Sequence, residues 1–202
     1  MTNKLFVILF LLLASSCALT EAYLNKNSLP TRSYVAENTC AEFSVSKLRF
    51  TGEADYPRLE REVVEAISSQ TLPSGTHCPW IAKIELDHSI ERSYGWLVFT
   101  VPVSLLITPF WLVLPWNSVD NTVQMRFTLS NRSGVQVFTT DSFYQKSLTQ
   151  GAFYGKSASE ILTAAVKKLQ DDLGNKRQQI VAALSHTDSR YVETNSQTPE
   201  TS

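Results

Sequence analysis

The run Ala82-Lys83-Ile84-Glu85-Leu86-Asp87 alternates apolar and charged side chains without a break. Successive side chains of a β-strand point to opposite faces, so this run is a strand with one face buried and the other wet. The sequence on either side shows what covers the buried face. Upstream, Pro57 stands near a helix start and Leu59, Val63, Ala66 and Ile67 fall on one helical face, with the helix ending around Ser69 ahead of Pro73-Ser74-Gly75. Further back, Phe43 to Phe50 alternates imperfectly and closes on Thr51-Gly52, which reads as another strand. Strand, helix and strand in this order make a right-handed crossover between parallel neighbours, with both strand starts at one end of the sheet.

Downstream, Val123, Met125, Phe127 and Leu129 alternate with Gln124, Arg126 and Thr128. Turn chemistry at Asn131-Arg132-Ser133-Gly134 leads into Val135 to Phe138, which predicts an antiparallel hairpin. Ser157 with Glu160 three residues on forms a capping box, and Ile161, Leu162, Ala165, Leu169 and Leu173 share the face of the helix it opens. Gly174 is the expected stop, and a more polar helical stretch runs from about Lys176 to Leu184. The fold expected is α+β, a two-layer sandwich in βαβ-ββα order: a four-stranded mixed sheet with two helices on one face.

Between the second strand and the hairpin lies an apolar insertion, residues 94–116, and no charge occurs between Arg92 and Asp120. Its length would suffice to cross a bilayer. A single crossing, however, would separate strands that belong to one sheet, and Pro102 and Pro109 interrupt any straight helix. The reading that keeps the sheet whole is an apolar hairpin that leaves the domain and returns, with Trp96, Phe99, Leu105, Leu106, Phe110 and Trp111 docking into a leaflet or a protein partner. Extra core for the same domain, or a true span between two separately folded halves, are the competing readings.

At the amino end, Lys4, the apolar run Leu5 to Leu13 and the small residues Ala14, Ser15 and Ser16 precede Cys17, the anatomy of a signal peptide. Leu13-Ala14-Ser15-Ser16-Cys17 resembles the lipobox of bacterial lipoproteins. That resemblance implies cleavage before Cys17, acylation of its thiol and amine, and sorting to the periplasmic leaflet of the outer membrane of a Gram-negative cell, with Ala18 following the cysteine. An ordinary secretory signal cleaved nearby is the alternative. The element order over about residues 40–185 is also similar to small periplasmic lipoproteins that accompany ABC transporters and secretion machines, an architectural likeness that transfers no residue roles.

The organisation expected is a signal peptide at 1–16, a lipidated polar tether at 17–39, an α+β domain at 40–186 carrying the insertion, and a polar, disordered tail at 187–202. With Cys17 acylated, Cys40 and Cys78 remain in a compartment that permits disulfides. Each precedes one strand of the crossover, so pairing would clip it shut; two buried thiols are the alternative.

Catalytic signatures are missing from the sequence. The three histidines, His77, His88 and His186, have no second ligand at zinc-like spacing, and no metal site or cofactor is expected. Seven glycines serve the whole chain, and no phosphate loop, nucleophile elbow or His-Glu-x-x-His occurs. The net charge of −1, one unit more negative once Lys4 leaves with the leader, gives no footprint for nucleic acid. His88 continues the inward register of Ala82, Ile84 and Leu86 and is expected to be a satisfied strand-end histidine. The function expected is a non-enzymatic outer-membrane lipoprotein, held in the membrane lipid by acylated Cys17, that binds or scaffolds an envelope protein complex through its apolar hairpin. The alternative is an envelope enzyme or a carrier of lipid or another small ligand, with the apolar segment as lid.

Overall fold

The computed structural model describes residues 23–29, 35, 39–51, 54–93, 95, 117–150 and 158–185. Strand β1 (Ala41–Arg49) is followed by helix α1 (Tyr56–Ser68), strands β2 (Trp80–Ser93), β3 (Asn117–Asn131) and β4 (Gln136–Gln150), and helix α2 (Ala158–Asn175). A further helical stretch, α3, covers 177–185. The four strands form one sheet in the order β1-β2-β3-β4. β1 and β2 are parallel, while β2–β3 and β3–β4 are antiparallel. The architecture is the α+β sandwich with a mixed sheet that the alternating run at Ala82 to Asp87 implies.

Local chemistry explains the element ends. Asp55 caps α1 by accepting from the Arg58 amide at 3.3 Å, and Pro57 sits in the first turn, where a missing amide hydrogen is harmless. The imperfect alternation of β1 has a specific cause. Val45 pairs with Ile84 and Lys47 with Glu85, so Ser46 is an extra residue that bulges the strand and lets both Val45 and Leu48 face the helices. At the hairpin, Asn131 accepts at its carbonyl from Gly134, whose φ of 83° suits glycine, and its side chain accepts from the Val135 amide at 2.9 Å. Val135 therefore belongs to the turn, and β4 starts one residue later than the apolar alternation suggests. Helix α2 passes through Gly174 and breaks at Lys176, because a helical glycine costs only about 1 kcal/mol and Leu173 and Ile180 are fully buried on either side.

The core lies between the inner sheet face and the helices. Ile84, Leu86, Met125, Phe127 and Leu129 meet Leu59, Ile67, Leu162, Leu169 and Leu173, all essentially without solvent contact. Each such side chain contributes about 1.5–3 kcal/mol by leaving water.

Cys40 and Cys78 are joined as a disulfide, with sulfurs 2.07 Å apart and alpha carbons 5.3 Å apart, at the common start of the parallel pair β1–β2. Gly75 makes room for it: a β-carbon there would lie 3.0 Å from the Cys78 Sγ. Arg132, in the β3–β4 turn, donates to the Cys78 carbonyl at 2.8 Å and ties the hairpin to the same end of the sheet.

The segment read as a free tether is in part docked. Leu24 and Val35 are buried, and the amide of Val35 donates to the Thr71 carbonyl at 2.7 Å. Polar composition concealed this, because the docking uses backbone amides and isolated apolar side chains instead of a periodic face.

Candidate docking site

β2 and β3 stay paired up to Ser93 and Ser118, and β3 and β4 up to Asn117 and Gln150. These three strands overhang β1, whose last partner on β2 is Asp87. The chain thus leaves at Ser93 and re-enters at the neighbouring strand on the same end of the sheet. Trp96, Phe99, Leu105, Leu106, Phe110 and Trp111, together with Cys17, lie outside the described residues. An antiparallel rung at the root of 94–116 puts both of its ends on one side of any bilayer. A single span between two separately folded halves is therefore incompatible with the sheet. Among the described residues no helix is long and apolar enough to cross a membrane.

Beside the root of the overhang, the inner face carries a buried polar pair. His88 is 2% exposed, and its ring lies 4.4 Å from that of Phe50, tilted by 30°. Its Nε2 stands 3.3 Å from Oδ1 of the buried Asn121, while Nδ1 has no hydrogen-bond partner among the described residues. An amide oxygen only accepts, so Nε2 carries the hydrogen and Nδ1 is left bare. The expected satisfied histidine is satisfied on one nitrogen only. Burial pushes the His88 imidazole below its ordinary range, against the opposing pull of the Asn121 hydrogen bond and of Asp87. Protonation would place a second N–H where no acceptor waits.

On the helical side, three successive amides of the N-terminal segment are gripped by side chains. Tyr23 donates to Ser159 Oγ at 3.2 Å, Leu24 to Glu62 Oε2 at 3.0 Å, and Asn25 to Thr163 Oγ1 at 3.0 Å. Glu62, 8% exposed, uses its other oxygen to accept from Arg58 Nε at 3.0 Å. A short 3-10 turn follows at Lys26–Ser28. A cleft of about 410 Å³ opens beside this clasp, lined among others by Tyr23, Ser159, Thr163 and Lys167. From the sequence, the adjacent charges Glu60-Arg61-Glu62 read as solvated surface, and the buried Glu62 departs from that reading. The available signal was its position, three residues from Leu59 and next to Val63 on the apolar side of α1, where a carboxylate must find donors.

The wet sheet face holds a shallow groove of about 300 Å³, lined by Lys47, Glu85, Asp87, Gln124, Arg126 and Asp141 among others. Its cations are engaged. Lys47 pairs with Asp87 at 2.7 Å, and Arg126 with Asp141 at 2.6 Å, a hydrogen bond that raises the Arg126 guanidinium further above its ordinary range. No group of three or more histidine, cysteine or carboxylate residues suited to a metal ion occurs among the described residues.

No family model and no curated protein matches the chain. Among solved structures it is similar to a Xanthomonas campestris protein of the family DUF330, at 9% identity and a TM-score of 0.40, covering 83% of this chain and 95% of that one. It is also similar to the rare lipoprotein B from Shewanella oneidensis, at 13% identity and a TM-score of 0.32, covering 75% of this chain and 97% of that one.

Proposed function

We propose that the protein is a non-enzymatic lipoprotein of the Gram-negative envelope, acylated at Cys17 in the periplasmic leaflet of the outer membrane. In this reading a disulfide-clipped domain presents the apolar segment 94–116 to a membrane-associated protein complex or to the leaflet itself. The observation that carries it is the closed rung at Ser93 and Ser118. A long, chargeless segment issues from a strand pair that closes at Ser93 and Ser118 without it, which supports a use for its apolar residues outside the sheet. The lipobox at Leu13 to Cys17 supplies the anchor, since each acyl methylene buried in lipid contributes about 0.8 kcal/mol and two or more chains anchor stably.

A photo-crosslinking side chain at Phe99 or Leu106, activated in intact cells, tests this reading. Adducts with an envelope protein or with phospholipid are expected, together with an acylated N-terminal cysteine by mass spectrometry. Adducts confined to the chain's own domain, on a protein without acyl chains, would overturn it.

A further inference from the structure

The clasp has a geometric result for a chain anchored at Cys17. We infer that it fixes which end of the domain meets the membrane: the overhanging end, with Tyr23 and Tyr56 beside it, is a bilayer-facing surface, and the disulfide end points away. This rests on acylation of Cys17.

Only Ala18 to Ala22 separate Cys17 from the first clasped residue, so the chain between them can span at most about 20 Å, whereas a tether unattached as far as Thr39 could reach several times farther. Direction follows from two contacts. Val35 is bonded to Thr71, past the C-terminal end of α1 and close to the disulfide, while Leu24 is bonded to Glu62, in the middle of α1. Tracing the chain back from Val35 to Leu24 therefore leads away from the disulfide end and toward the N-terminal ends of α1 and α2, where Tyr23 meets Ser159. That is also the end to which β2, β3 and β4 extend past β1.

Two of the exposed aromatic rings lie here. Tyr23 is 47% and Tyr56 43% exposed, and the Tyr56 hydroxyl is pinned to the Phe50 carbonyl at 3.1 Å. Tyrosine suits a headgroup layer because its ring takes the apolar side and its hydroxyl the wet side. The opposite end presents the polar turn Asn131-Arg132-Ser133-Gly134. A phospholipid surface fits these features as occupant because the chain outside the clasp ends in the acylated cysteine a few residues away.

The test uses the full lipidated chain in vesicles of phosphatidylethanolamine and phosphatidylglycerol, doped with a phospholipid carrying a nitroxide on its headgroup. A fluorophore is attached at Glu91→Cys on the overhang in one sample and at Ser133→Cys at the far turn in another. Strong quenching at Glu91 and essentially none at Ser133 is expected. Equal quenching at both sites, or stronger quenching at Ser133, would overturn the inference. Opening the clasp with Ser159→Ala and Thr163→Val should bring the two sites toward equal quenching; a contrast unchanged in that variant would show that the clasp does not set the orientation. Intact mass separates the two ideas: an unacylated chain defeats the anchor, whereas an acylated chain without the contrast defeats only the orientation.

Discussion

Ser93 and Ser118 face each other across the last rung of the β2–β3 ladder, so the residues between them form one excursion from a closed pair of strands. A sheet built this way does not need the excursion to hold its register, which is set by the inward rows Ile84, Leu86, Met125 and Phe127. Replacing residues 95–116 by an Asn-Gly dipeptide leaves residues 94 and 117 flanking a two-residue hairpin turn, the length that antiparallel strands prefer. The shortened chain is expected to unfold cooperatively, with Cys40 and Cys78 still oxidised. Circular dichroism melting checks this. Loss of a cooperative transition would mean that the segment supplies core to its own domain.

The disulfide closes a crossover of sequence separation 38. Chain entropy alone assigns such a loop about 4 kcal/mol, a large share of the stability of a domain of this size. The double variant Cys40→Ala, Cys78→Ala is expected to lower the urea midpoint accordingly. Gly75→Ala should destabilise the oxidised protein and not the reduced one, because the added β-carbon meets Cys78 Sγ. Equal effects in both redox states would contradict that cause.

What the sequence makes legible here follows periodicity. The alternation at Ala82 to Asp87 and the helical spacing of Leu59, Val63, Ala66 and Ile67 each reflect one buried face, and together they imply the parallel crossover and the position of its disulfide. What stays hidden is non-periodic. The Ser46 bulge breaks the alternation of β1, the strands of the overhang run on through polar residues such as Asp120 and Thr122, and the clasp works through backbone amides that leave no mark on side-chain pattern. Asn121 was readable in principle, because it falls between Val119 and Val123 on the inward row, where an amide implies a buried partner.

His88 gives the domain a defined response to acid. Because burial depresses its proton affinity in the folded state, the unfolded chain binds the proton more readily, so stability rises with pH across the titration. This contribution is constant above about pH 6.5, the ordinary imidazole value, declines as the pH falls below it, and levels off once the folded histidine is protonated too. His88→Leu, which keeps an apolar surface for Phe50, is expected to flatten the pH dependence of the urea midpoint between about pH 7 and 5. An unchanged slope in the variant would assign the acid sensitivity to other groups.

Glu62 holds the N-terminal segment from a site that is almost closed to water, so removing its carboxylate strands the Leu24 amide and frees one side of Arg58. A buried amide that loses its acceptor costs about 1–3 kcal/mol, and part of that loss is recovered if the segment lifts off into solvent. Glu62→Ala is therefore expected to act more on local opening than on global stability: protease cleavage between Cys17 and Val35 should accelerate several-fold while the thermal midpoint of the α+β body moves by only a few degrees. Glu62→Gln keeps an acceptor oxygen for Leu24 and should lie close to the parent protein in the same digestion. If both variants are cut at the parental rate, the segment is held without Glu62, by the burial of Leu24 and Val35 and by the bonds to Ser159, Thr163 and Thr71; if Gln behaves like Ala, the grip depends on the negative charge shared with Arg58 and not on hydrogen-bond acceptance.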